Sequence, residues 1–256
     1  DTVNVNFNYA ALLAFCKVGE AVTFPKGSMG TYVNKLDSIA EASGMTSLMI
    51  KASKLVADSV SGHILRWSKK DNYAEMRTGQ KYNITNVEGR WLPTPPGYAQ
   101  ALEPNWNKIR PMVMDSATQF IPPRPPVFNM TDKESKFYKE VMAVKNAGDS
   151  LNEEQKHIAE FWDDLGNRTI VEGHVMFTAK KFSPAGHWMN IVGIAAQQSK
   201  QDFSTTVSAF CKTAIAIYDA FIQCWDEKFR SNLVRPETVI NKYIDQEWRP
   251  YLQTPP

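Results

Sequence analysis

Apolar residues recur along most of this chain at steps of three and four, the spacing that puts side chains on one face of an α-helix. Ala10, Ala11, Leu12, Leu13 and Phe15 form a first apolar segment, and Leu36, Ile39, Ala40 and Ser43 follow at helical spacing. A third run goes from Thr46 to about Arg66, so roughly the first 65 residues read as mostly helical. Thr131-Asp132-Lys133-Glu134 has the capping-box spacing and leads into Phe137, Tyr138, Val141 and Met142. Ser150-Leu151-Asn152-Glu153 opens another predicted helix, through Ile158, Phe161, Trp162 and Leu165. Ser183-Pro184-Ala185-Gly186-His187 reads as a loop, after which helix resumes from Trp188 through Ala196. The longest predicted helix runs from about Asp202 to Val234 and is stopped by Pro236. The class is mostly α, with no internal repeat and no low-complexity tract.

Residues 77–128 break this pattern. Pro93, Pro95, Pro96, Pro104, Pro111, Pro122, Pro123, Pro125 and Pro126, with Gly79, Gly89 and Gly97, forbid a continuous helix or a central strand there. Trp91, Tyr98, Trp106, Ile109, Met112, Val113, Phe120, Ile121, Val127 and Phe128 still punctuate the segment. A solvated linker rarely carries so many apolar residues, so the segment is expected to be an extended arm packed on one helical domain spanning 1–256.

Composition narrows the function classes. In 256 residues, 43% are hydrophobic and 11% aromatic, enough to fill a core. Lys and Arg number 29 against 27 Asp and Glu, a net +2, which lacks the basic excess of a dedicated nucleic-acid binder. No stretch approaches about 18 consecutive apolar residues, so no transmembrane segment is expected. Cys211 and Cys224 lie on one predicted helix, roughly 20 Å apart, and with Cys16 they form neither a disulfide scaffold nor a cysteine zinc site. Asp1 to Asn6 lack the basic and apolar regions of an export signal, so either the protein is not exported or a signal has been removed.

The last helix carries the sharpest chemical pattern. Phe203, Val207, Phe210, Ala214, Ile217, Phe221 and Cys224 fall at alternating steps of four and three, one stripe that is expected to turn inward. Lys228 continues the series, and Arg235 lies seven residues further, about 20° short of two full turns. The two cations are expected to point the same way, about 10 Å apart, with Arg235 at a frayed end because a proline follows it. Asp219 and Asp226 sit about 200° away from the stripe and are expected to face elsewhere. Two inward cations then call for an anion between them, which a Lys point charge and an Arg fork grip well. The alternative is that the stripe has ended and both side chains enter solvent.

Lys228-Phe229-Arg230-Ser231-Asn232-Leu233-Val234-Arg235-Pro236 matches K-x6-R-P. With Ala216 to Phe221 and Trp225-Asp226-Glu227 before it, Gly89 to Pro96, and Pro184 to Trp188, it resembles the type 2 phosphatidic acid phosphatase and vanadium haloperoxidase superfamily, in its bacterial haloperoxidase-like branch. The motifs cover about residues 80–256. The resemblance implies an all-helical bundle in which Lys228 and Arg235 hold vanadate or phosphate. It implies an enzyme that oxidises halide with peroxide, or a phosphatase that hydrolyses phosphomonoesters through a histidine. It also implies an exported protein, periplasmic or at the cell surface. The family's Ser-Gly-His and S-R-x5-H motifs follow K-x6-R-P in chain order, and only 20 residues follow Pro236 here. The expected partner is therefore a C-terminal portion carrying those motifs, as a second fragment or chain, besides a small-molecule substrate. Residues 1–256 alone are expected to have no turnover, and a non-catalytic helical binding or scaffold module is a further alternative.

Other residues compete for notice. Ser61-Gly62-His63 is a literal Ser-Gly-His but precedes K-x6-R-P, so His63 reads as an ordinary helix or surface residue. Trp225, one turn before Lys228, and His187 beside Trp188 are possible pocket-lining residues, with core packing and a structural loop role as their competing readings. Asp226 and Glu227 read as solvated or paired with Arg230. Glu154-Gln155-Lys156-His157 has the spacing of a di-iron ligand pair, but no second copy exists, so no metal site is expected. Hydrolase elbows and glycine-rich phosphate loops are missing.

Overall fold

The computed structural model describes residues 4–164, 167–172, 174–180 and 182–253; Leu165, Gly166, Gly173 and Lys181, with the first and last three residues, lie outside them. The chain divides into two compact units, 1–74 and 75–256.

The first unit holds α1 (Phe7–Val22), α2 (Gly30–Ala42) and α3 (Ser47–Ser68). Its core pairs Tyr9 and Leu13 with the small residues Ala14, Ala40 and Ala57. Small side chains let the helices approach closely, and Ser53, fully buried on α3, accepts the Asn6 amide that enters α1. The Tyr9 hydroxyl and Lys54 ammonium both donate to Asp37, which satisfies that carboxylate between helices. Burial, then the Asp37 hydrogen bond, pushes the Tyr9 pKa well above its ordinary value. His63 sits exposed on α3, the surface reading of the sequence decoy.

The second unit opens with the short α4 (Tyr73–Arg77), which straddles the division, and continues as the proline-rich arm. Then come α5 (Lys136–Asp149), α6 (Glu153–Phe161), a hairpin of β1 (Asn167–Glu172) and β2 (Val175–Lys180), α7 (Pro184–Gln198), α8 (Phe203–Ser231) and α9 (Pro236–Tyr243). The fold is mostly helical, as the periodicity predicts, but several boundaries differ. The Thr131 hydroxyl and amide both donate to Asn129, so Thr131 is spent on a turn and Ser135 caps α5 instead. Asn152, with Gln155, forms the capping box of α6 in place of Ser150. That helix stops at Phe161, and the residues beyond enter the antiparallel hairpin, with Asn167 opposite Lys180 and Glu172 opposite Val175. Pro184 is not in a loop: it takes the first position of α7, where its missing N–H costs nothing, and Ser183 caps the helix.

The largest correction concerns α8. The stripe from Phe203 to Cys224 is only partly covered: Phe210 meets α7 near Gly193, Phe221 meets Trp106, and Val207 remains 38% exposed. The buried residues are Ile222, on the flank of the stripe, and Asp219, which was expected to face away from it. There the arm packs. Ile222 joins Met76 and Ile109 in a core cluster, and the Asp219 carboxylate accepts the backbone amides of Met112, Val113 and Met114 at 2.7–3.0 Å. Asp226 accepts the Asn107 amide at 2.9 Å. A carboxylate on a helix back therefore serves as the anchor for a segment about a hundred residues upstream, whose prolines leave its amides without ladder partners. By length and composition α8 is also apolar enough to cross a membrane, although no 18 apolar residues are consecutive. Mid-helix, its Asp219 is bonded to three amides of the arm, so on that side the helix packs against protein.

Candidate oxyanion site

Lys228 and Arg235 are brought together by a helix break, not by one continuous helix. α8 ends at Ser231, and Asn232 turns left-handed at φ 47° to cap it. Arg235 is extended at φ −75° and ψ 146°, as a residue before proline prefers, and Pro236 starts α9. The expected straight extension to Val234 thus fails because Asn232 closes the helix three residues earlier.

The link between α8 and α9 is held by the arm. The Trp91 amide donates to Asn232, the Val234 amide donates to Gly89, and Arg90 pairs with Leu233 in an isolated antiparallel bridge. The Arg90 guanidinium adds a bond to the Ser231 carbonyl at 3.0 Å. Gly89 makes this possible with φ at +77°, and a Cβ there would lie 2.7 Å from the Phe128 ring. Gly89→Ala is expected to cost about 1–3 kcal/mol from backbone strain and overlap. Thermal unfolding checks this, and an unshifted midpoint would show that Phe128 and the arm yield freely. Below the link, Val239 and Ile240 of α9 pack with Phe137, Val141 and Trp248, so the helix that starts beside Arg235 is anchored in a core.

The two cations line one cavity of about 180 Å³, with Tyr82, Trp91, Trp225 and Phe229 among its walls. Organic-ligand pockets run to roughly 300–1,000 Å³, so this space suits a small inorganic anion better than a large organic molecule. The Lys228 side chain as a whole is exposed, but its ammonium lies 4.0 Å from the Trp225 ring centroid. Loss of water around it pushes its pKa below the ordinary lysine value; Cys224 opposes that, and repulsion from Arg235 adds to it. Desolvation likewise lowers Arg235, with Glu237 opposing. Both shifts come first from burial, with the Glu237 carboxylate as the opposing charge beside Arg235. Two donors in the cavity wall, Arg235 Nε and the Tyr82 hydroxyl, are buried without a hydrogen-bond partner.

The remaining sequence candidates separate. Trp225 both lines the cavity and packs: it stacks on Phe221 at 5.2 Å, meets Trp106 edge-on and donates to the Leu102 carbonyl. His187 is not among the residues lining that cavity. On α7, its Nδ1 pairs with Asp164 at 2.8 Å, and its ring stacks on Trp162, a contact that ties the α6 end to the α7 start. Arg230 pairs with Glu227 and lies 4.0 Å from Asp226. His157 is 79% exposed, 3.7 Å from Glu160, and no carboxylate, histidine or cysteine cluster able to hold a metal occurs among the described residues. Tyr82 was not singled out by the sequence; it is one tyrosine in a non-periodic segment.

Comparison with known proteins bears on this geometry. A family model described as the VCPO second helical-bundle domain matches residues 208–255, the stretch that contains both cations. The crystal structure of the first bacterial vanadium-dependent iodoperoxidase superposes with a TM-score of 0.85 at 42% identity, over 99% of this chain. Over this partial region the fold is vanadium haloperoxidase-like. The haloperoxidase-like match extends upstream of the residues whose motifs first carried the resemblance. This chain spans 60% of the iodoperoxidase chain. No curated protein matches it significantly.

Proposed function

We propose that the protein contributes to a vanadium haloperoxidase that oxidises halide with peroxide, with Lys228 and Arg235 binding vanadate. The observation that carries this reading is the desolvated cation pair in a small cavity with an orphaned Arg235 Nε, inside a fold that matches an iodoperoxidase. The residues fit the group. A tetrahedral oxyanion offers acceptors to an Arg fork and a Lys point charge at once, and it supplies the negative charge that the desolvated pair lacks. The chemistry vanadate supplies when bound is activation of peroxide toward halide. This chain's part is electrostatic: fixed cations stabilise charge on the oxyanion, and Trp225, Trp91 and Phe229 form apolar walls beside Lys228. A phosphate would satisfy the same donors, which is why phosphomonoester hydrolysis is the reading to test beside it.

The acid–base and covalent roles are proposed to come from a portion outside residues 1–256 that carries Ser-Gly-His and S-R-x5-H. The uncovered apolar positions Trp188, Ile194 and Val207 on α7 and α8 support a further helical layer packing there. The protein is proposed to work outside the cytoplasm. For the intact protein, vanadate-dependent oxidation of iodide or bromide is expected to exceed turnover of p-nitrophenyl phosphate. The reverse order would assign it to the phosphatases, and absence of both would leave a binding module.

A further inference from the structure

We infer that Tyr82 is a third donor to the bound oxyanion, its phenol O–H completing the grip of Lys228 and Arg235; this rests on the oxyanion reading of that cavity. Tyr82 comes from the start of the arm, almost 150 residues before Lys228, yet it lines the same cavity. Its ring is clamped from two sides. It meets the Trp91 ring edge-on at 6.0 Å and the Phe229 ring, next to Lys228, at 5.3 Å. Trp91 is itself pinned to the α8–α9 link by its amide bond to Asn232. The phenol is thus fixed relative to the link that carries Arg235.

What this hydroxyl lacks is a partner. Its oxygen is shielded from solvent and finds no hydrogen-bond partner among the described protein groups. Buried tyrosine hydroxyls ordinarily find one, because an unmade bond in a dry site is costly. The second orphan of the same cavity is Arg235 Nε, also a donor. Two donors without a protein partner share one small cavity with the Lys228 ammonium, which faces the Trp225 ring, and a tetrahedral oxyanion supplies several acceptors at once. A packing role alone would be filled equally well by phenylalanine, with no orphaned oxygen.

The deciding experiment uses the intact protein and its Tyr82→Phe and Lys228→Ala variants, titrated separately with orthovanadate and orthophosphate by calorimetry, with thermal unfolding measured without and with saturating phosphate. Tyr82→Phe keeps the ring contacts and removes only the hydroxyl. It is expected to bind both anions roughly tenfold more weakly, the loss of one hydrogen bond to a charged acceptor. Without anion it is expected to be no less stable than the wild type, since the deleted group bonds to nothing there, and to gain less thermal stability from phosphate. Unchanged affinity in Tyr82→Phe, while Lys228→Ala weakens binding, overturns the Tyr82 assignment and leaves the oxyanion site standing. Unchanged affinity in both variants removes the site itself. Lower stability of Tyr82→Phe without anion means that the hydroxyl serves the fold, which also overturns the proposal.

Discussion

Arg235→Ala is expected to weaken orthovanadate or orthophosphate binding by the intact protein about 100-fold, and Lys228→Ala about tenfold. The difference follows from donor geometry. A guanidinium makes two parallel bonds to an oxyanion from a planar fork, whereas an ammonium acts as a point charge. Lys228 is further held by the Trp225 ring, so part of its interaction is already satisfied before any anion arrives. Neither substitution is expected to unfold the protein, because Arg235 Nε has no hydrogen-bond partner to lose. Calorimetric titration of folded variants is the check. Wild-type affinity in Arg235→Ala would sink the site, and a collapse of the fold would show that the cations serve structure.

The second large effect falls on stability. Asp219→Ala is expected to lower the unfolding free energy by on the order of 3–5 kcal/mol, since it strands the amides of Met112, Val113 and Met114 beside a cavity. Asp219→Asn is expected to lose less: its carbonyl oxygen still accepts, although its NH2 then faces donors. Chemical denaturation of both variants measures this, and an Ala variant within about 1 kcal/mol of wild type would mean that water replaces the carboxylate. Because the arm also carries Tyr82 and Trp91, the Ala variant should lose anion affinity together with stability.

Asp219 also shows where sequence reading reached its limit. Periodicity located the long helix and ranked its faces by hydrophobicity, and that ranking turned the carboxylate away from the inward face. The three amides that bury it belong to a proline-broken segment with no period to read. Lys228 and Arg235 were legible because K-x6-R-P is local. Their common cavity was expected from helical rotation, and it arises instead from an Asn232 cap and an extended Arg235. The hairpin carries a sequence signal of its own: Thr169, Ile170 and Val171 form a β-branched run, and two residues separate its strands. The apolar spacing of Phe161, Trp162 and Leu165 masked it. Tyr82 had no such signal, since only the fold brings it beside residues so far along the chain.

The pairing of Arg90 with the α8–α9 link has a kinetic meaning. The two segments are 141 residues apart at the Arg90–Ser231 bond, so closing them spends loop entropy that local helices do not. α8 can form by itself as the chain emerges, with Lys228 already on it. Arg235 takes its place only once the arm has folded back, so the cavity lined by both cations is expected to form late in refolding and to open first when the arm detaches.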